Sequence, residues 1–136
     1  MFFTKREETR DVLWVWISFT EQVVEGGTFE DFLRLWIAYY DAQQPFTFVF
    51  ETHCLTRVPS LSYALQIVIF IRSLKSRETQ YLQESHIFVS QKYLVSILDW
   101  IFTLQRPIAP VFIYHSIDSS RLGYDNLVRP DANISP

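Results

Sequence analysis

Five side chains that could do chemistry fall where the predicted strands end. Glu51, His53 and Cys54 close one strand, and Ser90 and His115 follow the next two strands along the chain. In an open α/β sheet, the carboxyl ends of parallel strands meet at one edge, which is where ligands bind. We therefore expect these residues to border a shared crevice. Carboxylate, imidazole and thiol groups are those that bind metals or assist a nucleophile.

The spacing of these residues differs from that of a dedicated metal or catalytic site. His53 and Cys54 are adjacent and His115 is remote, whereas zinc ligands usually come in closely spaced pairs. The chain has three Gly residues and no glycine-rich phosphate loop, and it lacks the Ser, His, acid order of hydrolases. A strand-end Cys is more often a small buried hydrophobe. The sequence predicts no catalytic residue, no metal and no cofactor, and hence a protein that is not an enzyme.

A Pro and a Ser stand at the predicted entrance of the second helix. Pro59 favours an extended conformation in the residue before it, and Ser60 is predicted to be the N-cap, accepting from the N–H of Ser62 or Tyr63. A phosphate on Ser60 would lie at the positive end of the helix dipole. Ser60 is therefore either a cap alone or a regulatory phosphorylation site. The predicted functional turn comprises Glu51, Pro59, Ser60 and Ser62.

Composition limits the class of protein. A chain of 136 residues fits one domain, and 49% hydrophobic residues with 17% aromatics supply a core. The net charge of −3 and the pI near 5.5 argue against a nucleic-acid partner, which requires clustered Lys and Arg.

Location is predicted from three further features. No apolar run reaches the roughly 18 residues that span a bilayer, and the N-terminus lacks the apolar segment of a secretory signal. A single cysteine fits a reducing compartment. We therefore predict a cytoplasmic protein without a transmembrane segment.

Strand and helix patterns alternate along the chain. Short apolar runs predict strands, and apolar residues with a period of 3.6 predict helices. The predicted strands cover residues 2–4, 12–19, 46–52, 86–90 and 110–114, and the predicted helices cover residues 29–42, 61–74 and 91–105. The charged residues 5–11 are predicted to form a hairpin turn, and Ser90 is predicted to cap the third helix.

This order of elements predicts one α/β domain over residues 1–116. Its single mixed β-sheet should have about five strands, formed by an N-terminal hairpin and then βαβαβαβ-type crossovers, with three main helices. Residues 117–136 are predicted to be a C-terminal tail, with a short helix followed by disorder.

The second predicted helix is apolar nearly all round. A core-facing stripe takes only three to four residues per two turns, so some of its apolar surface should meet another chain. We predict a homodimer or a contact with a protein partner through this helix or the next one. The predicted interface residues are Tyr63, Ile67, Phe70 and Ile71.

The order of elements and residues 51–62 resemble a STAS domain, the module of sulphate transporters and anti-sigma factor antagonists. That family has a strand ending in Asp, a small apolar turn, and an Ile, Asp, Ser, Ser, Gly run at the start of the second helix. The corresponding residues here are Glu51, Leu55, Val58, Pro59, Ser60, Leu61 and Ser62. Ser60 takes the place of the Ser that is phosphorylated in the antagonists, while Pro59 replaces the second Asp and Ser62 replaces the Gly.

The resemblance implies a STAS-like fold and a non-enzymatic, regulatory protein-interaction module. Such a module would act through the turn around Ser60 and through the apolar second helix. The alternative is the CRAL-TRIO-like branch of similar architecture, whose members carry lipids. On that alternative the chain is a small binding protein for an apolar or lipidic ligand, which its aromatic excess favours.

Overall fold

A computed structural model describes residues 3–19, 27–55, 61–115 and 130–136. The strands are β1 (Phe3–Thr9), β2 (Leu13–Phe19), β3 (Phe46–Glu51), β4 (Leu82–Phe88), β5 (Val111–Tyr114) and β6 (Ala132–Ile134). The helices are α1 (Gly27–Asp41), α2 (Leu61–Lys75) and α3 (Lys92–Leu104).

The strands form one mixed sheet and lie side by side in chain order, from β1 to β6. Strands β2 to β5 are parallel, whereas β1 and β6 run antiparallel to their neighbours at the two edges. The predicted fold class is confirmed, with an N-terminal hairpin, parallel crossovers and three helices. The sheet has six strands where about five were predicted.

All three described helices pack on one face of the sheet, which we call the front face. Successive right-handed crossovers step across the sheet in one direction and so leave their helices on the same side. Side chains alternate along a strand, so the front face of β3 receives Phe46, Phe48 and Phe50. Phe48 is fully buried, and its ring centroid lies 5.3 Å from that of Trp36 in α1. The main core therefore lies between the helices and the front face.

The opposite face, which we call the back face, carries a second cluster of buried residues. It consists of Trp14, Trp16, Val49, Phe88 and Tyr114, and none of the three described helices contributes to it. The rings of Phe88 and Tyr114 stack with their centroids 4.7 Å apart. β2 thus has buried side chains on both faces, as a strand inside the sheet does.

Strand β1 contradicts the predicted charged hairpin turn, because residues 5–9 belong to the strand itself. The long charged side chains of this edge strand lie against aromatic rings. The guanidinium of Arg6 is 4.6 Å from the ring centroid of Trp16, and the hydroxyl of Tyr39 donates to Oε1 of Glu7 at 2.5 Å. Charged residues at an edge also oppose pairing with the sheet of another molecule.

Two further elements begin elsewhere than predicted. β4 starts at Leu82 rather than at residue 86, next to an irregularity in its pairing with β3. The prediction that Ser90 caps α3 is wrong: the N-cap is Gln91, which has an extended backbone and makes no capping hydrogen bond with its side chain.

Strand β6 lies within the segment that was predicted to be a loose tail. The backbone N–H of Asp131 donates to the carbonyl of Ile113 at 2.8 Å, and Ala132 pairs with Ile113. Ala132 and Asn133 are exposed, so pairing with β5 rather than a hydrophobic pattern defines this strand. The short helix predicted before it lies outside the described residues.

Candidate functional site

The turn after β3 brings Glu51, His53 and Cys54 together. The side chain of Glu51 is buried, and its Oε1 accepts a hydrogen bond from the backbone N–H of His53 at 2.7 Å. The same oxygen pairs with Nδ1 of the His53 ring. The other ring nitrogen, Nε2, lies 3.4 Å from Sγ of Cys54.

A carboxylate, an imidazole and a thiol in this order can hold a base beside a nucleophile. Here all three come from four consecutive residues, and the side chain of His53 is 43% exposed. Solvent screens charge interactions at such a position. Across the described ranges, no group of three or more His, Cys, Asp or Glu side chains is arranged to hold a metal ion. The buried carboxylate of Glu51 therefore acts first as the anchor of the turn.

Of the other two predicted crevice residues, Ser90 follows the strand next to β3 and His115 follows the strand beyond it. Ser90 is half-buried after β4, and His115 is exposed after β5. β5 is two strands away from β3, which corresponds to about 10 Å at the usual strand spacing. The backbone N–H of His115 donates to Oδ2 of Asp131 at 2.7 Å and so joins the end of β5 to the start of β6.

The predicted turn around Ser60 is described only at its two ends. Pro59 and Ser60 lie outside the described residues, so the capping and phosphorylation hypotheses stay predictions. α2 begins at Leu61, as the sequence predicts. Ser62 is exposed in its first turn, and its Oγ accepts a hydrogen bond from Nε2 of Gln66 at 3.4 Å.

The sequence did not predict a hydrogen-bonded network around His86 on the back face. Nε2 of His86 lies 2.9 Å from Oε1 of Glu84, and Nδ1 lies 2.7 Å from the hydroxyl of Tyr114. A carboxylate only accepts, so Nε2 donates to Glu84 and Nδ1 of the neutral ring accepts from Tyr114. The imidazole stacks between Trp14 and Phe112, with centroids 5.5 and 5.2 Å away.

Burial decides the protonation of this network. It lowers the pKa of His86, and the hydrogen bond to Glu84 opposes that shift in part. Burial also raises the pKa of Tyr114 to about 12. Both groups are therefore neutral near pH 7. The available sequence signal was the alternation of Glu84, His86 and Phe88, which places three side chains on one face of a strand.

A cavity of about 170 Å³ lies in the front core between the sheet and the helices. All three helices line it, for example through Trp36 of α1, Ile67 of α2 and Ile101 of α3, and none of its described lining residues is charged. The cavity is partly open at the surface, so it is a pocket and not a sealed void.

The outer faces of α2 and α3 carry the large hydrophobic side chains that are exposed in the described part of the chain. These residues are Leu61, Leu65 and Ile69 on α2, and Trp100 and Leu104 on α3, with exposed fractions between 37% and 63%. Their spacing of four residues aligns them along one face of each helix. Each helix thus presents an apolar stripe to solvent.

The two stripes lie on neighbouring helices. α2 and α3 pack together, and Nε of Arg72 donates to Oε1 of Gln105 at 3.1 Å. The two stripes therefore lie on helices that pack against each other. We call the five exposed apolar residues together the α2–α3 surface.

The α2–α3 surface differs from the interface that the sequence predicted. Tyr63 and Ile71 are buried, while Ile67 and Phe70 are half-buried against the core. α2 is the middle helix of the layer, so neighbours cover its flanks as well as its base. The ring centroid of Phe70, for instance, lies 5.1 Å from that of Trp36 in α1.

Comparison with known proteins gives no further guide to the site. No protein-family profile, no curated protein and no solved structure matches this chain. The resemblance to a STAS domain therefore stays a prediction. Among the described helices, none is long and apolar enough to cross a membrane.

Proposed function

We propose that this protein is a non-enzymatic interaction module that docks a protein partner on the α2–α3 surface. The observation that carries the proposal is the position of the exposed large apolar side chains, which within the described ranges all fall on two adjacent helices. Scattered single hydrophobic residues are normal on a protein surface, whereas a contiguous group of them marks an interaction site.

The outer face of α1 provides the contrast within the same helix layer. Arg34 pairs there with Glu30 at 3.2 Å and with Asp31 at 2.7 Å, and all three side chains are exposed. This is the usual surface of a helix in water. The apolar character of the α2–α3 surface is therefore a local property and not a feature of the whole layer.

The composition of the α2–α3 surface suits a protein interface. Trp100 lies within it, and Trp is among the residues that contribute most to binding energy. Exposed charged residues accompany the stripes, including Arg72 and Lys75 on α2 and Lys92 and Asp99 on α3. An apolar centre with a polar rim is typical of interfaces. Two-fold dimers are the commonest soluble assemblies, so a second copy of the chain is the partner that the proposal names.

The test is the mass of the protein in solution over a wide range of concentrations, by size-exclusion chromatography with light scattering. We expect a dimer, and we expect Ile69→Glu and Trp100→Glu to raise its Kd at least tenfold, because each places a charge in the apolar centre. Ile69 is 63% exposed, so Ile69→Glu should change the melting temperature of the monomer little. Trp100 is 37% exposed, so Trp100→Glu should lower it more.

A matched control is Ala38→Glu, which adds the same charge at an exposed position of α1 and should leave the dimer intact. A wild-type protein that stays monomeric at every concentration would contradict self-association. Equal weakening by Ala38→Glu would mean that net charge rather than the α2–α3 surface controls association.

A further inference from the structure

The cavity in the front core is too large to be an ordinary packing defect. Protein interiors are packed as densely as organic crystals, and voids larger than one water molecule are few. This one measures about 170 Å³. The pocket is partly open at the surface. A ligand that binds there to the folded protein and not to the unfolded chain would stabilise the fold.

The lining indicates what that occupant would be. No charged side chain is among the described lining residues, so an ionised ligand would lose its hydration without gaining a partner. Thr52 is one of the few polar residues there, and its hydroxyl already donates to the carbonyl of Phe88 at 2.7 Å. The lining therefore favours a neutral hydrocarbon.

The aromatic rings in the lining indicate which kind of hydrocarbon would bind. Phe32 and Trp36 of α1 and Phe50 of β3 border the cavity, with the centroids of Phe32 and Phe50 5.8 Å apart in an edge-to-face arrangement. Aromatic rings pack well in such tilted arrangements, so an added ring has suitable faces and edges to contact. The three rings favour an aromatic ligand over a linear one.

Volume sets the size of the ligand. A cavity of about 150 Å³ lined by Leu, Ile and Phe binds benzene, whereas pockets for drug-sized molecules measure about 300 to 1,000 Å³. The cavity here is close to the former and well below the latter. The volume therefore suits a single-ring hydrocarbon.

We propose that the cavity between the sheet and the helices is a binding site for one compact, neutral, aromatic hydrocarbon of about the size of toluene. This site is independent of the docking proposal, because it is formed by inward-facing side chains such as Ala64 and Ile67, whereas the α2–α3 surface faces outward. Either proposal can fail without the other.

The test uses toluene and the full chain, with thermal unfolding followed in a sealed cell. Toluene in about a hundredfold excess over its Kd should raise the Tm of the wild type by several degrees. Sodium benzoate has a similar ring but carries a charge, so it should leave the Tm unchanged.

Two cavity-filling variants test whether toluene binds in this cavity. Ala64→Leu on α2 and Ala109→Leu before β5 both project added carbon atoms from the lining. Each should abolish most of the toluene shift, and the matched control Ala38→Leu on the outside of α1 should keep it. If one filling variant does not fold, the toluene-induced shift in the Tm of the other variant is the test.

Two outcomes would overturn the proposal. The first is a wild type whose Tm does not respond to toluene. The second is a shift of equal size in the wild type and in every filling variant that folds, because toluene would then bind elsewhere.

Discussion

Truncation of Phe48 tests whether the main core lies on the front face of the sheet and not on the back face. The side chain is fully buried, and its ring centroid lies between 4.9 and 6.5 Å from those of five other rings. Phe→Ala in a core costs about 3 to 5 kcal/mol, and each aromatic pair adds about 0.5 to 1.5 kcal/mol beyond burial. We therefore expect Phe48→Ala to lose about 5 kcal/mol, the upper end of the core range.

The matched control is Phe112→Ala on the back face. Phe112 is only half-buried and stacks on His86 at 5.2 Å, so we expect a loss of about 1 to 2 kcal/mol. The assay is urea unfolding followed by Trp fluorescence, which gives the free energy of unfolding and the m-value. A loss for Phe112→Ala as large as that for Phe48→Ala would refute the assignment of the main core to the front face.

Two further predictions concern pH. The hydrogen bond from Tyr39 lowers the pKa of Glu7 below its ordinary value of 4.5, so this contribution to stability is present above pH 4.5 and is lost as the pH falls through the lowered pKa. Tyr39→Phe should therefore unfold at a lower urea concentration than the wild type near pH 7, and its free energy of unfolding should fall less between pH 7 and pH 3. The same pH dependence of this free energy in both proteins would contradict the prediction. Burial lowers the pKa of His86 below its ordinary value of 6.5, although Glu84 opposes the shift in part, so the wild type should lose stability as the pH falls from 7 through the lowered pKa. His86→Gln should remove that part of the pH dependence, and an equal slope in both proteins would show that another group titrates there.

The helices could be predicted from the sequence because their apolar period is strong. The start of α2 was found at the correct residue, and α1 and α3 were found within two residues at each end. The central strands followed from their apolar runs. These patterns reflect burial, because the positions that face the core are apolar.

The elements that could not be predicted are those whose sequence carries no pattern of buried residues. β1 is charged because an edge strand needs few apolar residues, and β6 is short and exposed and depends on its partner β5. The His86 network required knowing that β4 and β5 are neighbours. Likewise, which side of α2 faces solvent depends on its position between α1 and α3, which a helical period alone does not give.

The match between strand order and chain order has a consequence for how the protein folds. Each strand pairs with the strand made just before it, so during synthesis every new strand meets an edge that is already in place. Such pairing lowers the sequence separation of contacts relative to a sheet whose order is shuffled, and a lower separation favours faster folding. If strands are added in chain order, the sheet begins with the β1–β2 hairpin and is completed when β6 pairs antiparallel with the free edge of β5.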